Sequence, residues 1–224
     1  METRKQKKVS FVYFFNTFAT SMRTKKNEIL EKSADTFRRL GIRAVSMDDL
    51  ARNLGMSKKT IYKYFIDKDE LVKEIIIEKT EADKKICENA RENSVNAIDE
   101  MVRICEFISE MFNDLHSSVF YDLQKYHHGA WEIMESHKNE FVRNQIRSNV
   151  IRGINEGIYR PNLNPEIISR AYIATMSSLF DSSNLITSGI NFSTALNQVI
   201  RFQIRGLANE NGLDYLKKRL KQDE

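Results

Sequence analysis

The chain has 224 residues, 41% hydrophobic and 29% charged, with a formal net charge of +4, which is too apolar for a disordered chain and long enough for one sizeable core or two small ones. Only two prolines, Pro161 and Pro165, and eight glycines occur, which excludes collagen-like and low-complexity classes and predicts an all-α fold. Cys87 and Cys105 stand in helix-like segments without Cys-x-x-Cys or Cys/His clustering, a usage that fits a reducing compartment better than a disulfide framework and supplies no metal knuckle.

Charge is unevenly placed. Residues 1–80 hold 18 Lys+Arg against 11 Asp+Glu, and the remainder 17 against 20, so the excess of positive charge is N-terminal. Residues 1–22 read as a basic-aromatic extension or arm, with Arg4, Lys5, Lys7 and Lys8 before the stretch Phe11 to Phe15. Met22 is an alternative start, and a weak secretory signal is the lesser reading of the same residues. No apolar run approaches the roughly 20 residues that a membrane helix needs, so no span is expected.

From Asn27 to Leu40, Leu30, Ala34 and Phe37 recur on one face of a first amphipathic helix, stopped by Gly41. Ser46 followed by Asp49 is a capping-box-like start for a second helix, Met47 to Leu54, that buries Leu50, Ala51 and Leu54. Gly55 ends it and Ser57 caps the next, so the segment predicts a helix-turn-helix over about 46–65. On the third helix, expected from Lys58 to Phe65, Ile61 and Phe65 face inward, and Lys59, Thr60 and Lys63 face outward between Tyr62 and Tyr64. Such a strip suits a major groove, with long cations for base edges and phenols for the phosphate walls. Asp67 with Glu70 caps a fourth helix and places Lys68 at its N-terminus, where an ammonium can meet a phosphate.

The stretch from Ile29 to Ile75 closely resembles the DNA-binding domain of tetracycline-repressor-type (TetR/AcrR) regulators. Phe37, Gly41, Ser46, Leu50, Ala51, Gly55, Ser57, Thr60, Tyr62, Tyr64, Phe65 and Lys68 stand at that family's spacing. The resemblance covers about a fifth of the chain. It implies a cytoplasmic homodimer, usually a repressor, that binds a palindromic double-stranded DNA operator, with a C-terminal helical domain that takes a small ligand. It also implies that Lys58, Lys59, Thr60 and Lys63 approach base edges or the adjacent backbone, while Tyr62, Tyr64 and Lys68 contact phosphates. Ser46 and Ser57, at the heads of the second and third helices, complete the candidate DNA-binding set. Met47 and Asp48 depart from the Thr or Arg that some members place at the start of the second helix, which argues against base contact from there.

The expected organisation is therefore a DNA-binding domain over residues 23–83 and a larger helical regulatory and dimerisation domain over 84–224. In the latter, Val95, Ile98, Val102, Cys105, Ile108, Phe112 and Leu115 form a stripe after Ser94, and Phe141, Ile146, Val150 and Ile154 form another ending near Gly157. Asn164 and Pro165 open a helix expected over 165–187, and Phe192 with Ser193 opens the last long one. Small residues Ala171, Ala174, Thr175 and Ser178, with Leu196, Ile200, Ile204 and Leu207 on the following helix, are the candidate subunit interface; packing within one subunit is the competing reading. The four histidines and the single tryptophan concentrate at 116–137. Phe112, His116, Tyr121, Tyr126, His127, Trp131, Met134 and Met176 are the candidate lining for a hydrophobic or aromatic effector. No Gly-rich phosphate loop, nucleophile elbow or metal motif is present, so neither catalytic residues, metal nor cofactor are assigned. Two alternatives remain: a helical scaffold whose N-terminal arm lies on an anionic membrane, and a regulator of the same type without an effector.

Overall fold

In the computed structural model, residues 24–112, 114–180 and 191–221 are described. The extension over 1–22 and the expected continuation of a helix over 181–187 lie outside them. The described residues form α-helices, one π-helical stretch and an isolated bridge between Tyr159 and Ala208, with no strand among them. In chain order the helices are α1 Lys25–Leu40, α2 Met47–Leu54, α3 Lys58–Ile61, α4 Lys68–Asn93, α5 Ala97–Met111, α6 Val119–Tyr126, α7 His128–His137, α8 Arg143–Asn155, α9 Pro165–Phe180, α10 Phe192–Leu207 and α11 Glu210–Lys221, with the π-helical Lys138–Val142 joining α7 to α8.

The first four elements start where their caps require. Ser46 Oγ accepts from the Asp49 N–H while Asp49 accepts from the Ser46 N–H, a reciprocal capping box. Ser57 accepts from the Thr60 N–H and Asp67 from the Glu70 N–H. Gly55, at φ 63°, turns the chain left-handed after α2 and returns its N–H to that helix's last carbonyls. The third helix is shorter than expected: it holds only Lys58–Ile61, and Tyr62, Lys63 and Tyr64 follow as turns whose N–H groups bond three or four residues back. Ile61 and Phe65 are both buried, as expected for two residues four apart on an inward face.

Two apolar cores divide the molecule. The first joins Ile29, Leu30 and Phe37 of α1, Leu50 and Leu54 of α2, Ile61, Phe65 and Leu71 with Phe120, Leu123 and Ala130 of α6 and α7. The second joins α5, α8, α9, α10 and α11 around Ile98, Val150, Tyr159, Ile173, Ile200 and Ile204. The 26-residue α4 crosses the expected boundary at residue 83 without a break, so the N-terminal helices are roofed by α6 and α7 from the other side of it.

Several sequence expectations change in the C-terminal half. Ser94 ends α4, and the cap of α5 is Asn96, whose side chain accepts from the Asp99 N–H. Val95 is exposed and Leu115 lies beyond α5, so the buried stripe is shorter at both ends. Asn164 caps α9 as expected, its Oδ1 accepting from the N–H groups of Glu166 and Ile167 at 3.0 and 3.1 Å. Phe192 opens the 16-residue α10 as expected, and a shorter helix of 12 residues, α11, follows it. Helix α11 is anchored by Arg219, whose Nε reaches the buried Asp99 at 2.9 Å.

Candidate nucleic-acid interface and regulatory cavity

The capped turn between α2 and α3 presents Lys59, Tyr62, Lys63 and Tyr64 outward, all exposed. Lys59 and Lys63 have no ion-pair partner among the described residues. Lys58 is engaged: its ammonium lies 3.0 Å from Asp48 Oδ2 at the start of α2 and 6.0 Å from the Tyr62 ring. The hydrogen bond to Asp48 raises the Lys58 pKa. This cross-turn pair spans ten residues of sequence and has no periodic signature. Thr60 is half-buried with its hydroxyl 2.8 Å from Ser57 Oγ. Both hydroxyls therefore take part in the helix cap, as does that of Ser46, which also donates to Asp49 Oδ2 at 2.6 Å. The expected set is thus brought to one side of one short segment, except for Lys68.

Lys68 requires a correction. Its ammonium donates at 2.6 Å to the carbonyls of both Ile42 and Val45 and sits 5.6 Å from the Phe37 ring. Burial lowers its pKa. It ties the α1–α2 turn to the start of α4 and so acts as a positioning residue.

That same turn is fastened to α6. The Arg43 N–H donates to the buried Asp122 carboxylate at 2.9 Å, Ser118 Oγ donates to the same oxygen at 3.1 Å, and the Arg43 guanidinium donates to the Tyr126 hydroxyl at 2.7 Å. The His116 N–H reaches the Arg38 carbonyl at 2.7 Å. Gly41 permits this approach, since a Cβ there would stand 2.5 Å from Ser118 Oγ.

A cavity of about 280 Å³ lies above the junction, walled by Leu30, Ala34 and Phe37 of α1, by α4, by Phe107 and Met111 of α5, by α6, and by Met134 and His137 of α7. Of the eight expected lining residues only Phe112 and Met134 belong to it. His116 is an exposed turn residue bonded to Ser118, and Tyr121 bonds Lys125 at the surface. Tyr126 holds Arg43; His127 is buried with Nδ1 2.5 Å from Asp69 Oδ1. Trp131 packs on the first core and Met176 is buried in the second. Clustering in sequence misled because α6 and α7 turn those rings to other faces.

What sequence reasoning missed is the cavity's polar end. Asp83 faces the space, and burial pushes its pKa up to about 7 against the opposing pull of Lys79. Burial lowers the pKa of Lys79, which Asp83 partly restores, and burial lowers that of His137. A signal was available: Val72, Ile76, Lys79 and Asp83 recur at helical spacing on α4, an apolar stripe that turns ionic without leaving its face.

The expected subunit interface also needs correction. Leu196, Ile200, Ile204 and Leu207 are buried within the protomer, in the second core, where they pack under α5. Ala171, Ala174, Thr175 and Ser178 are exposed on α9. Beside them the outward residues are Ile167 on α9 and Phe202 on α10, 64% and 74% exposed.

The family model described as bacterial regulatory proteins, tetR family, matches residues 29–75. Over 187 residues the chain is 25% identical to the HTH-type transcriptional regulator YvaF of Bacillus subtilis, covering 81% of this chain and 96% of that one. Residues 29–75 thus carry a tetR-family DNA-binding segment. A TetR-family regulator from Agrobacterium tumefaciens shares its fold at a TM-score of 0.68 with 12% identity, over 83% of this chain and 98% of that one. The regulator FadR from Bacillus subtilis, solved in complex with stearoyl-CoA, matches at 0.60 with 14% identity, over 80% and 98%. The chain is thus a DNA-binding transcriptional regulator, helical throughout its described residues apart from turns and one isolated bridge, with the helix-turn-helix at its N-terminal end.

Proposed function

We propose that the regulator is a ligand-responsive repressor, acting in the cytoplasm as a homodimer on a roughly palindromic operator, and that it is not an enzyme. Ser46, Ser57, Lys58, Lys59, Thr60, Tyr62, Lys63 and Tyr64 form its reading surface, with Lys59 and Lys63 free to reach base edges and the tyrosines set for phosphates. The observation that carries the effector half of this reading is the cavity's position: one wall is α1 of the DNA-binding helices and the others are α4 to α7. An occupant touches both sides of the junction at once, so it has differential contacts with two orientations of the head, as a shift of population demands. The division of labour follows the two cores more closely than a cut at residue 83.

For the dimer, the unpartnered faces of α9 and α10, with Ile167, Ala171, Ala174, Thr175, Ser178 and Phe202, supply the contact. Two-fold pairing would then place the heads on half-sites ~34–36 Å apart or a multiple of it. DNase footprinting of the region around the gene, with light scattering on the same sample, tests this. A palindromic footprint and a dimer are expected, and Phe202→Glu should yield monomers with weakened operator binding. A wild-type monomer at micromolar concentration, or protection of a single half-site, would remove the model.

A further inference from the structure

The junction cavity has apolar walls and an acidic rim. Glu31, Asp35, Glu78, Asp83, Glu110 and Asp114 line it against two cations, Arg38 and Lys79. Arg38 is already held by Asp35 at 2.7 Å and Asp114 at 3.5 Å. Lys79 offsets part of the charge of Asp83, so an anionic guest would meet a surround of its own sign.

A second observation is independent of that charge. The His137 side chain is only 9% exposed, it borders the cavity, and its Nε2 is buried without a hydrogen-bond partner. The nearest acid oxygen, Asp83 Oδ2, is 3.7 Å away, beyond hydrogen-bond reach. An unmade bond on a buried nitrogen is costly. The ring is fixed in place by stacking on Phe141 at 5.1 Å between centroids. Burial lowers its pKa, which favours the neutral ring, and in the tautomer with its proton on Nδ1 the unpartnered Nε2 is an acceptor. An acceptor and a carboxylate side by side at the end of an apolar cavity match one kind of head group, a cation that also carries N–H donors.

We propose that the cavity takes a lipophilic primary or secondary amine in its protonated form, the ammonium seated between Asp83 and His137 and the hydrocarbon body against Phe107, Met111, Phe112 and Met134. This rests on reading the cavity as an effector site, and it adds the chemical class. The ammonium donates to both the half-buried Asp83 carboxylate and the buried Nε2. An alcohol of the same length supplies one weaker donor and no charge, and a carboxylate supplies neither.

Calorimetric titration of the full chain with decylamine, 1-decanol and decanoate at neutral pH tests the class. Decylamine should bind about ten- to a hundredfold tighter than the alcohol, the range expected for hydrogen bonds to charged groups, and decanoate weakest. In Asp83→Asn that advantage should vanish while decanol binding persists, which also reports an intact pocket. His137→Phe, which keeps the stack, should lose part of it. Equal affinities, tighter binding of decanoate, or no binding of decylamine would overturn the proposal. Operator release is scored separately by fluorescence anisotropy: decylamine that binds with the stated preference yet leaves operator affinity unchanged sustains the amine site and sinks the induction reading.

Discussion

The DNA-binding helices and the regulatory helices are held by different kinds of bond. In the head the helix starts are fixed by local contacts, Ser46 with Asp49, Ser57 with Thr60 and Asp67 with Glu70, each three residues apart, and Lys68 and Arg43 then tie the α1–α2 turn to α4 and α6. In the regulatory half they reach across the chain. Arg152 joins Glu100, 52 residues away, at 2.9 Å and also holds the Ser94 carbonyl and hydroxyl. Asn149 donates to the Ala97 carbonyl while accepting from the Tyr159 hydroxyl. Arg219 returns to Asp99 over 120 residues. Local bonds fix where helices begin, and distant ones fix how they pack. The head therefore relies more on its caps, while the regulatory half depends on a few buried polar pairs whose loss is felt throughout.

The largest expected effect tests that contrast directly. Arg152→Met leaves the buried Glu100 carboxylate uncompensated and should cost about 3–5 kcal/mol. Ser46→Ala removes one cap and should cost about 1 kcal/mol. Denaturant melts of both variants check the pair, and comparable losses would erase the distinction between long-range and local fixing.

Next in size is Lys68→Met, which strips the Ile42 and Val45 carbonyls of their donor and should cost about 1–3 kcal/mol. Its salt dependence of operator binding should stay as in wild type. Lys63→Ala should do the reverse, leaving stability within about 0.5 kcal/mol and reducing the salt slope by about 0.9. A slope reduced in Lys68→Met with stability kept would return that residue to the phosphate set.

A further test is a drift with pH. Asp83 has its pKa raised from 3.8 to about 7 by burial, so between those values the folded chain binds more protons than the unfolded one. Its contribution to stability therefore falls as pH rises from about 4 to 7. Asp83→Asn should be increasingly stabilised relative to wild type over that window, measured as the difference in melting temperature. A difference that shrinks with rising pH would mean the carboxylate is not held in an apolar surround.

How much of this was legible follows the same divide. The caps at Ser46, Ser57 and Asp67, the turn at Gly55, and the inward Leu50, Ala51, Leu54, Ile61 and Phe65 were readable because each depends on neighbours within a turn or two. The length of α3 was not, since nothing in its local pattern marks an end at Ile61. Lys68 was misread because its partners, Ile42 and Val45, lie 26 and 23 residues upstream. On α10 a single apolar stripe was identified correctly, but whether it faced a partner or its own protomer depended on α5, and it is the protomer's core.

The sequence by itself determined the all-helical class, the helix-turn-helix and its cationic strip, because capping, glycine turns and helical periodicity are short-range physics. Only the tertiary structure decided which aromatics meet, that Lys68 clamps the α1–α2 turn, and that Asp83 and His137, 54 positions apart in the sequence, share one apolar cavity. Helix packing brings distant faces together, and no local pattern specifies which face meets which.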